Sequence, residues 1–332
     1  MSRLLARAAG MDQKGVAFAV TSAVMLGVTP IFGKQAILAG LEPLTVVALR
    51  TIGAAALLLV VLAIFNRRYF YIYPIGLAGC ALAGVLNGFG SAFFYAALGR
   101  IDASMGQFLF TLYPIFVAGL VYLDGQRSSK LTLVRLAIST AGVLLLIQRN
   151  SDIVDMTGVL FMLVAAFLYA LHIPINQRVL YEVPAPTVTL YTLLAMTVTV
   201  IPIKFIATGF NFDMPAGAIQ PILLLTLATF GSRMALFAGV KSIGGVQTAL
   251  IGLLELLVTV VLAMLLLGES LNLRQWIGAI LLVLTLILTG FEKELETTRF
   301  ARGWLFWLRP PTDFQQSELE AADGEMPDPA HD

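Results

Sequence analysis

The chain has 332 residues, of which 58% are hydrophobic and only 12% are charged. Ordinary soluble domains carry about 25% charged residues, so this composition excludes most soluble enzymes and any disordered scaffold. A net charge of +1 gives no basic excess for binding nucleic acid. The single cysteine, Cys80, excludes an internal disulfide and a thiolate metal cluster. A polytopic membrane protein is the class that fits.

Ten apolar segments are each long enough to cross a bilayer, because a spanning helix needs about 20 residues. The joints between them carry charged residues and turn residues, and most are too short to form a separate domain. We therefore predict an all-α integral membrane protein with ten transmembrane helices. In chain order, the predicted spans cover residues 15–33, 43–65, 74–98, 103–123, 131–148, 157–177, 187–207, 219–240, 243–267 and 273–291.

The basic residues predict the orientation of these spans. Ten spans place both chain ends on one side, and that side carries 13 of the lysines and arginines, against 5 on the other. Because loops rich in lysine and arginine stay in the cytoplasm, both termini are predicted to be cytoplasmic, in a cell inner membrane. Residues 1–14 then form a short cytoplasmic N-terminus.

The segment after the last span, residues 292–332, differs from the rest of the chain. Its first part, 292–311, combines Trp304 and Trp307 with arginines, a mixture suited to the lipid headgroup layer. We predict a short interfacial helix there. From 312 to 332 the chain is acidic and rich in proline and small residues, and we expect it to be disordered and cytoplasmic.

The two halves of the chain, residues 15–148 and 157–291, correspond to each other. At an offset of 143 residues, Pro43 falls on Pro186. The ends of the fourth and ninth spans also correspond, Leu123-Asp124-Gly125-Gln126 with Leu266-Leu267-Gly268-Glu269. Five spans per half is an odd number, so the second half enters the membrane in the opposite direction. The pattern predicts an inverted repeat, which is the architecture of many secondary transporters.

A set of short motifs covers residues 14–291. In the first half they are Gly27-Val28-Thr29-Pro30-Ile31-Phe32-Gly33-Lys34, Pro43 through Leu49-Arg50, Tyr95-Ala96-Ala97-Leu98 leading to Ala103-Ser104, and Leu112-Tyr113-Pro114. In the second half they are Leu253-Leu254-Glu255, Leu267-Gly268-Glu269 and Trp276-Ile277-Gly278-Ala279. As a set, these motifs resemble the EamA-type members of the drug/metabolite transporter superfamily.

This resemblance implies four cavity-lining spans and one supporting span in each half. It also implies carriage of small metabolites, often amino acids and frequently outward. One position departs from the family pattern, because Leu256 stands where a proline usually follows the glutamate of the ninth span. A local kink at that point is therefore not expected from the sequence.

Glu255 is the one acidic residue deep inside a predicted span. An ionised carboxylate there costs about 2.5–3.5 kcal/mol on insertion scales, so the group should be protonated, paired or exposed to water. It is a candidate for proton coupling or for binding a substrate ammonium group. A structural pairing with Arg50, Arg233 or a backbone amide is the alternative.

Two arginines also fall inside predicted spans. Arg50 is the eighth residue of its span, about 12 Å below the outer surface at the helical rise. It could bind a substrate carboxylate bidentately, brace an outer gate or pair with Glu255. Arg233 lies about two turns from the inner end of its span, and snorkelling to the surface is the simpler interpretation.

The sixth span contains His172 and, two residues later, Pro174. The proline frees a backbone carbonyl and can bend or break the helix, as can Pro30 in the first span. Broken helices line binding sites in transporters, so His172 is a site candidate, although a buried histidine is more often a packing residue. A lone histidine cannot support a metal site.

The third and fourth spans add polar and aromatic candidates. Asn87 and Phe94 lie in a stretch rich in aromatic residues and glycine, and Tyr113 follows in the fourth span. Aromatic faces there could receive an apolar or cationic substrate, while packing against lipid or neighbouring helices is the alternative. The full candidate set for substrate binding or coupling is Glu255, Arg50, His172, Asn87, Phe94 and Tyr113.

We predict a secondary transporter that exports a small organic metabolite, such as an amino acid, by alternating access. No phosphate-binding loop G-x-x-x-x-G-K-[ST] is present, so direct ATP drive is not expected. The expected partners are a small-molecule substrate and the lipid bilayer, with no cofactor, metal or nucleic acid. Proton coupling stays open, and a monomer could suffice. The alternative is a membrane-embedded enzyme such as a lipid-linked transferase, which would need clustered acids or a histidine base.

Overall fold

A computed structural model describes residues 13–113, 155–209, 211–243 and 254–290, with isolated residues between 115 and 145 and between 248 and 252. Three predictions fall outside the described residues: nearly all of the cytoplasmic N-terminus, the interfacial helix at 292–311 and the acidic end at 312–332. Most of the span predicted at 131–148 falls outside them as well.

The described residues are organised as α-helices joined by short turns. Six of the helices are long: α1 (Gln13–Leu38), α2 (Pro43–Phe65), α3 (Pro74–Leu98), α5 (Met156–Leu180), α6 (Ala185–Thr208) and α7 (Ala216–Ile243). Three are shorter: α4 (Ala103–Phe110), α8 (Leu254–Leu266) and α9 (Leu273–Gly290). One 3-10 turn, Arg67–Phe70, follows α2. The six long helices are apolar enough to cross a membrane, which confirms an all-helical architecture for the described part, whereas the count of ten spans stays a prediction.

Helix ends follow local sequence signals. Proline stands in the first turn of α2, α3 and α6, where its fixed φ suits a helix and its missing N–H costs nothing. The start of α5 is capped by Asp155, whose carboxylate accepts hydrogen bonds from the amides of Thr157 at 2.8 Å and Gly158 at 3.3 Å.

The prolines inside α1 and α5 do not break these helices. Helix α1 continues through Pro30, and the Leu26 carbonyl that this proline leaves without a donor accepts a hydrogen bond from Thr29 Oγ1 at 2.7 Å. Helix α5 likewise continues through Pro174. The two helices are therefore unbroken at these prolines, while a bend at either position stays a prediction.

The span predicted at 103–123 does not form one uninterrupted helix. Helix α4 ends at Phe110, and Thr111 and Leu112 form a turn. The next residue but one, Pro114, has no N–H to donate to the Phe110 carbonyl. The loss of this donor weakens the helix at this point, although α1 and α5 continue through their prolines, and the length of the apolar run did not indicate it.

The two halves pack against each other in an exchanged pattern. Helix α1 packs against α7 and α8 of the second half, and its counterpart α5 packs against α3 and α4 of the first half. Helix α2 contacts α6 and α7, and α6 contacts α2 and α3. Exchanging the halves therefore reproduces the same set of helix contacts.

Two glycines allow these helices to approach closely. A Cβ on Gly84 of α3 would lie 2.5 Å from the Cβ of Ala195 in α6, and a Cβ on Gly27 of α1 would lie 2.7 Å from the Glu255 carbonyl in α8. Small residues at helix crossings are typical of packing in lipid, where van der Waals contact replaces the hydrophobic effect. The contact at Gly27 also positions the backbone of Glu255 beside α1.

Candidate functional site

A cavity of about 500 Å³, including the part open to solvent, lies between the two halves. Helices α1 to α4 of the first half and α5, α7 and α8 of the second contribute to its wall. Its charged lining residues are Arg50, Arg233 and Glu255. The exchanged packing of the halves creates this space, because side chains from both halves meet there.

Glu255 lies in the first turn of α8 and is partly exposed. Its Oε1 accepts a hydrogen bond of 2.9 Å from Nε2 of Gln107, a side chain of α4 that is only 1% exposed. Among the described residues Glu255 forms no ion pair with either arginine. The carboxylate is thus held by an uncharged amide rather than by a structural salt bridge.

Arg50 is buried in α2 and reaches across to α3. Its Nη2 donates to Ser91 Oγ at 2.9 Å, and its guanidinium carbon lies 4.7 Å from the centre of the Tyr95 ring, a cation–π distance. Its Nε has no hydrogen-bond partner in the described part of the chain. An arginine held only by neutral groups, with one donor unused, retains capacity to bind an anion.

Arg233 is also buried, at 6% exposure, and its guanidinium faces Asn87. With the amide oxygen of Asn87 turned toward it, that oxygen accepts hydrogen bonds of 2.8 Å and 3.3 Å from the two terminal nitrogens. The expectation that Arg233 snorkels to the surface is therefore wrong. A polar acceptor on α3 allows the charge to stay inside the protein.

Aromatic rings form one wall of the cavity and continue behind it. Phe94 and Phe110 pack edge to face at 5.0 Å, and Phe110 contacts Tyr169 at 5.0 Å. Tyr113 and His172 both pack against the ring of Tyr169, at 5.1 Å and 5.0 Å. The six predicted candidates thus divide into four that line the cavity and two, Tyr113 and His172, that lie behind Tyr169.

The sequence interpretation assigned Arg233 to the surface and did not single out Ser91, although both line this cavity. Arg233 follows Gly231 and Ser232, and small residues beside a charge inside a span indicate a closely packed, protein-facing position. That signal was present in the sequence. No comparable signal identified Ser91, whose place beside Arg50 depends on how α2 and α3 pack.

The sequence model of the EamA-like transporter family matches residues 13–148 and 156–291. The chain belongs to the EamA-like transporter family. The match covers both halves separately, which makes this a protein of two EamA-like repeats and a multi-pass membrane protein.

Curated relatives of this EamA-like chain carry transporter names. It is 27% identical over 220 residues to an uncharacterized transporter of Synechocystis sp., an alignment that spans 62% of each chain. It is 26% identical over 237 residues to the "Probable amino-acid metabolite efflux pump" of Salmonella typhimurium, across 66% of this chain and 79% of that protein. A solved crystal structure shares the fold, with a TM-score of 0.58 at 15% identity over 83% of this chain and 96% of that one.

Two residues of the EamA-like motifs, Lys34 and Glu269, both bind groups at the turn between α3 and α4. Lys34 Nζ donates to the carbonyls of Leu98 at 2.6 Å and Ile101 at 2.8 Å. Glu269 accepts hydrogen bonds from the first turn of α4, next to the same loop. We call this group the Lys34–Glu269 clasp; it ties the ends of α1 and α8 to the turn between α3 and α4.

A second contact joins the halves at the opposite end of α3. The Tyr73 hydroxyl donates to Glu182, and Arg178 donates to the same carboxylate at 2.6 Å. The hydrogen bond from Tyr73, then that from Arg178, holds the pKa of Glu182 below its ordinary value. Burial, followed by this hydrogen bond, raises the pKa of Tyr73 to about 12. At neutral pH the carboxylate is therefore ionised and the phenol remains a donor.

Proposed function

We propose that this chain is a secondary transporter that exports a small organic metabolite, such as an amino acid, by alternating access. The observation that carries the proposal is the cavity between the halves, which combines two arginines, one glutamate and an aromatic wall. A site that combines charged and polar groups with an aromatic wall suits a small organic molecule. The transporter names of both curated relatives support the same conclusion.

Alternating access is supported by the exchanged packing of the helices. If the halves enter the membrane in opposite directions, each can adopt the shape of the other, which opens the cavity to the other side. The repeats at 15–148 and 157–291 would be the two moving units. The Lys34–Glu269 clasp at one end and the Tyr73–Glu182 contact at the other are the contacts that such a motion would break in turn.

In the proposed orientation, the protein lies in a cell inner membrane with both termini in the cytoplasm. This orientation follows from the basic residues, of which 13 lie on the side of the termini and 5 on the other side. The clasp would then face the outside, and the Tyr73–Glu182 contact the cytoplasm. The residues that line the cavity come from one chain, which supports the proposal that a monomer could suffice. No enzymatic step is part of the proposal.

Solute release from sealed vesicles tests this function. Purified full-length protein is reconstituted into vesicles loaded with a mixed pool of small metabolites, and the external medium is analysed by mass spectrometry. We expect selective loss of a few chemically related solutes. Equal release of all solutes, or none beyond protein-free vesicles, would contradict the proposal. Covalent change of a solute would instead identify an enzyme.

A further inference from the structure

The charges that line the cavity do not balance. Arg50 and Arg233 each contribute a positive charge, and Glu255 contributes the one negative charge of the lining. Neither arginine forms an ion pair within the described part of the chain, and both are 6% exposed. Burying an uncompensated charge is costly, so the cavity as described favours the entry of negative charge.

The contacts of the two arginines are to neutral groups. Arg50 donates to the hydroxyl of Ser91 and lies over the Tyr95 ring, while Arg233 donates to the amide oxygen of Asn87 when that amide is turned toward it. These partners orient the guanidinium groups without neutralising them. The Nε of Arg50 is buried without a hydrogen-bond partner in the described part of the chain, so the protein groups around it do not fully satisfy this guanidinium.

We propose that the transported solute is an organic anion, a carboxylate with net negative charge, rather than a neutral amino acid. A neutral zwitterion brings as much positive as negative charge and leaves the imbalance unchanged. An acidic amino acid, or a 2-oxo or 2-hydroxy acid without an ammonium group, neutralises it. The inference rests on the proposed transport function and specifies its substrate class.

The cavity also distinguishes an organic anion from a simple inorganic one. Phe94, Phe110 and Tyr169 provide an apolar wall, which favours a ligand with a carbon skeleton over a hydrated chloride ion. The guanidinium fork of Arg50 or Arg233 can bind both oxygens of a carboxylate, and the aromatic wall covers the carbon skeleton. Glu255 opposes a second carboxylate placed near α8 and would accept an ammonium or hydroxyl group there.

Two pairs of solutes with similar skeletons and different charge provide the test. Purified full-length protein in sealed vesicles is assayed for flux of glutamate against glutamine, and of 4-methyl-2-oxopentanoate against leucine. We expect the anion of at least one pair to move about tenfold faster than its neutral partner. We expect an excess of the unlabelled anion, but not of chloride, to compete.

Variants connect the selectivity to the cavity. Arg50→Gln and Arg233→Gln should each lower anion flux by about tenfold or more, and Arg50→Lys, which keeps the charge, should recover part of it. Arg67→Gln removes the same charge from an exposed side chain and should leave the flux unchanged.

The outcomes separate the two proposals. Faster flux of both neutral partners would overturn the inference and leave the transport function standing, as would an anion preference that survives the loss of both arginines. Equal competition by chloride would overturn the organic class. Flux of no solute, in these pairs or in the mixed pool, would overturn both proposals.

Discussion

Glu269 caps the start of helix α4 through Ser104: its Oε2 accepts hydrogen bonds from the Ser104 amide at 2.9 Å and from the Ser104 hydroxyl at 2.7 Å. Its Oε1 accepts from the Ala103 amide at 2.7 Å. The capping carboxylate comes from the end of α8, in the other half of the chain. A local capping interaction therefore also joins the two repeats.

Removal of this cap should weaken the junction between the halves. We predict that Glu269→Ala lowers the melting temperature, because loss of a helix cap costs about 0.5–2 kcal/mol. Glu269→Gln retains one acceptor and should cost less. Thermal unfolding in detergent measures both, with Ser270→Ala, at the exposed neighbouring position, as the control. Equal melting temperatures for Glu269→Ala and wild type would show that the cap does not stabilise the fold.

Glu255 is predicted to control the pH dependence of transport. Its hydrogen bond comes from the neutral Gln107 amide, and the glutamine carbonyl of Glu255→Gln can accept the same bond. The variant should therefore fold normally, with transport that is impaired or no longer varies with pH. The measurement is flux against pH for both proteins, alongside the melting temperature.

The alternative role of Glu255 predicts a different result. A structural ion pair would make Glu255→Gln unstable, with partial rescue by neutralising Arg50 or Arg233. The absence of such a pair among the described residues favours the first outcome. Unchanged transport at every pH, in a stable variant, would remove Glu255 from the site.

The Tyr73–Glu182 contact should stabilise the protein in a pH-dependent way. Because the folded protein holds the pKa of Glu182 below its ordinary value of 4.5, the ionised carboxylate stabilises the fold above that pH. This stabilisation is lost as the pH falls through the lowered pKa. We expect Glu182→Gln and Tyr73→Phe to melt below wild type near neutral pH, with the difference shrinking in acid. A difference that is constant with pH would contradict this assignment.

The proposed orientation predicts where fused reporters will be active. A reporter attached after residue 291 should behave as cytoplasmic, and one attached after Asn150 as external, because the basic residues favour the cytoplasmic side. Alkaline phosphatase and green fluorescent protein fusions report the two locations. The opposite pattern would overturn both the orientation and the count of ten spans.

The sequence predicted the helices well because apolar length is a strong signal in a membrane protein. The bounds of α2 and α3 agree with the predicted spans, 43–65 and 74–98. It failed at Phe110, where α4 ends inside a continuous apolar run, four residues before Pro114. The length of an apolar run does not show where a backbone hydrogen bond is missing within it.

The cavity was only partly predictable for a different reason. Glu255 and Arg50 were found because charge inside a span is rare. The sequence did not predict which groups these two residues contact. Those contacts depend on how α4 packs against α8 and how α2 packs against α3. Arg233 was placed at the surface because distance along the helix does not show that Asn87 lies beside it.

Counterflow in sealed vesicles tests the central claim most directly. Vesicles containing the purified protein are loaded with a high concentration of an unlabelled solute and diluted into a trace of the labelled one. With an alternating-access carrier, the labelled solute inside the vesicles should rise transiently above its equilibrium level. The reason is that the binding site, after releasing an unlabelled solute outside, returns to the inside with a labelled one bound. Label that only equilibrates would indicate a channel, and label that stays outside for every solute would contradict transport by this protein.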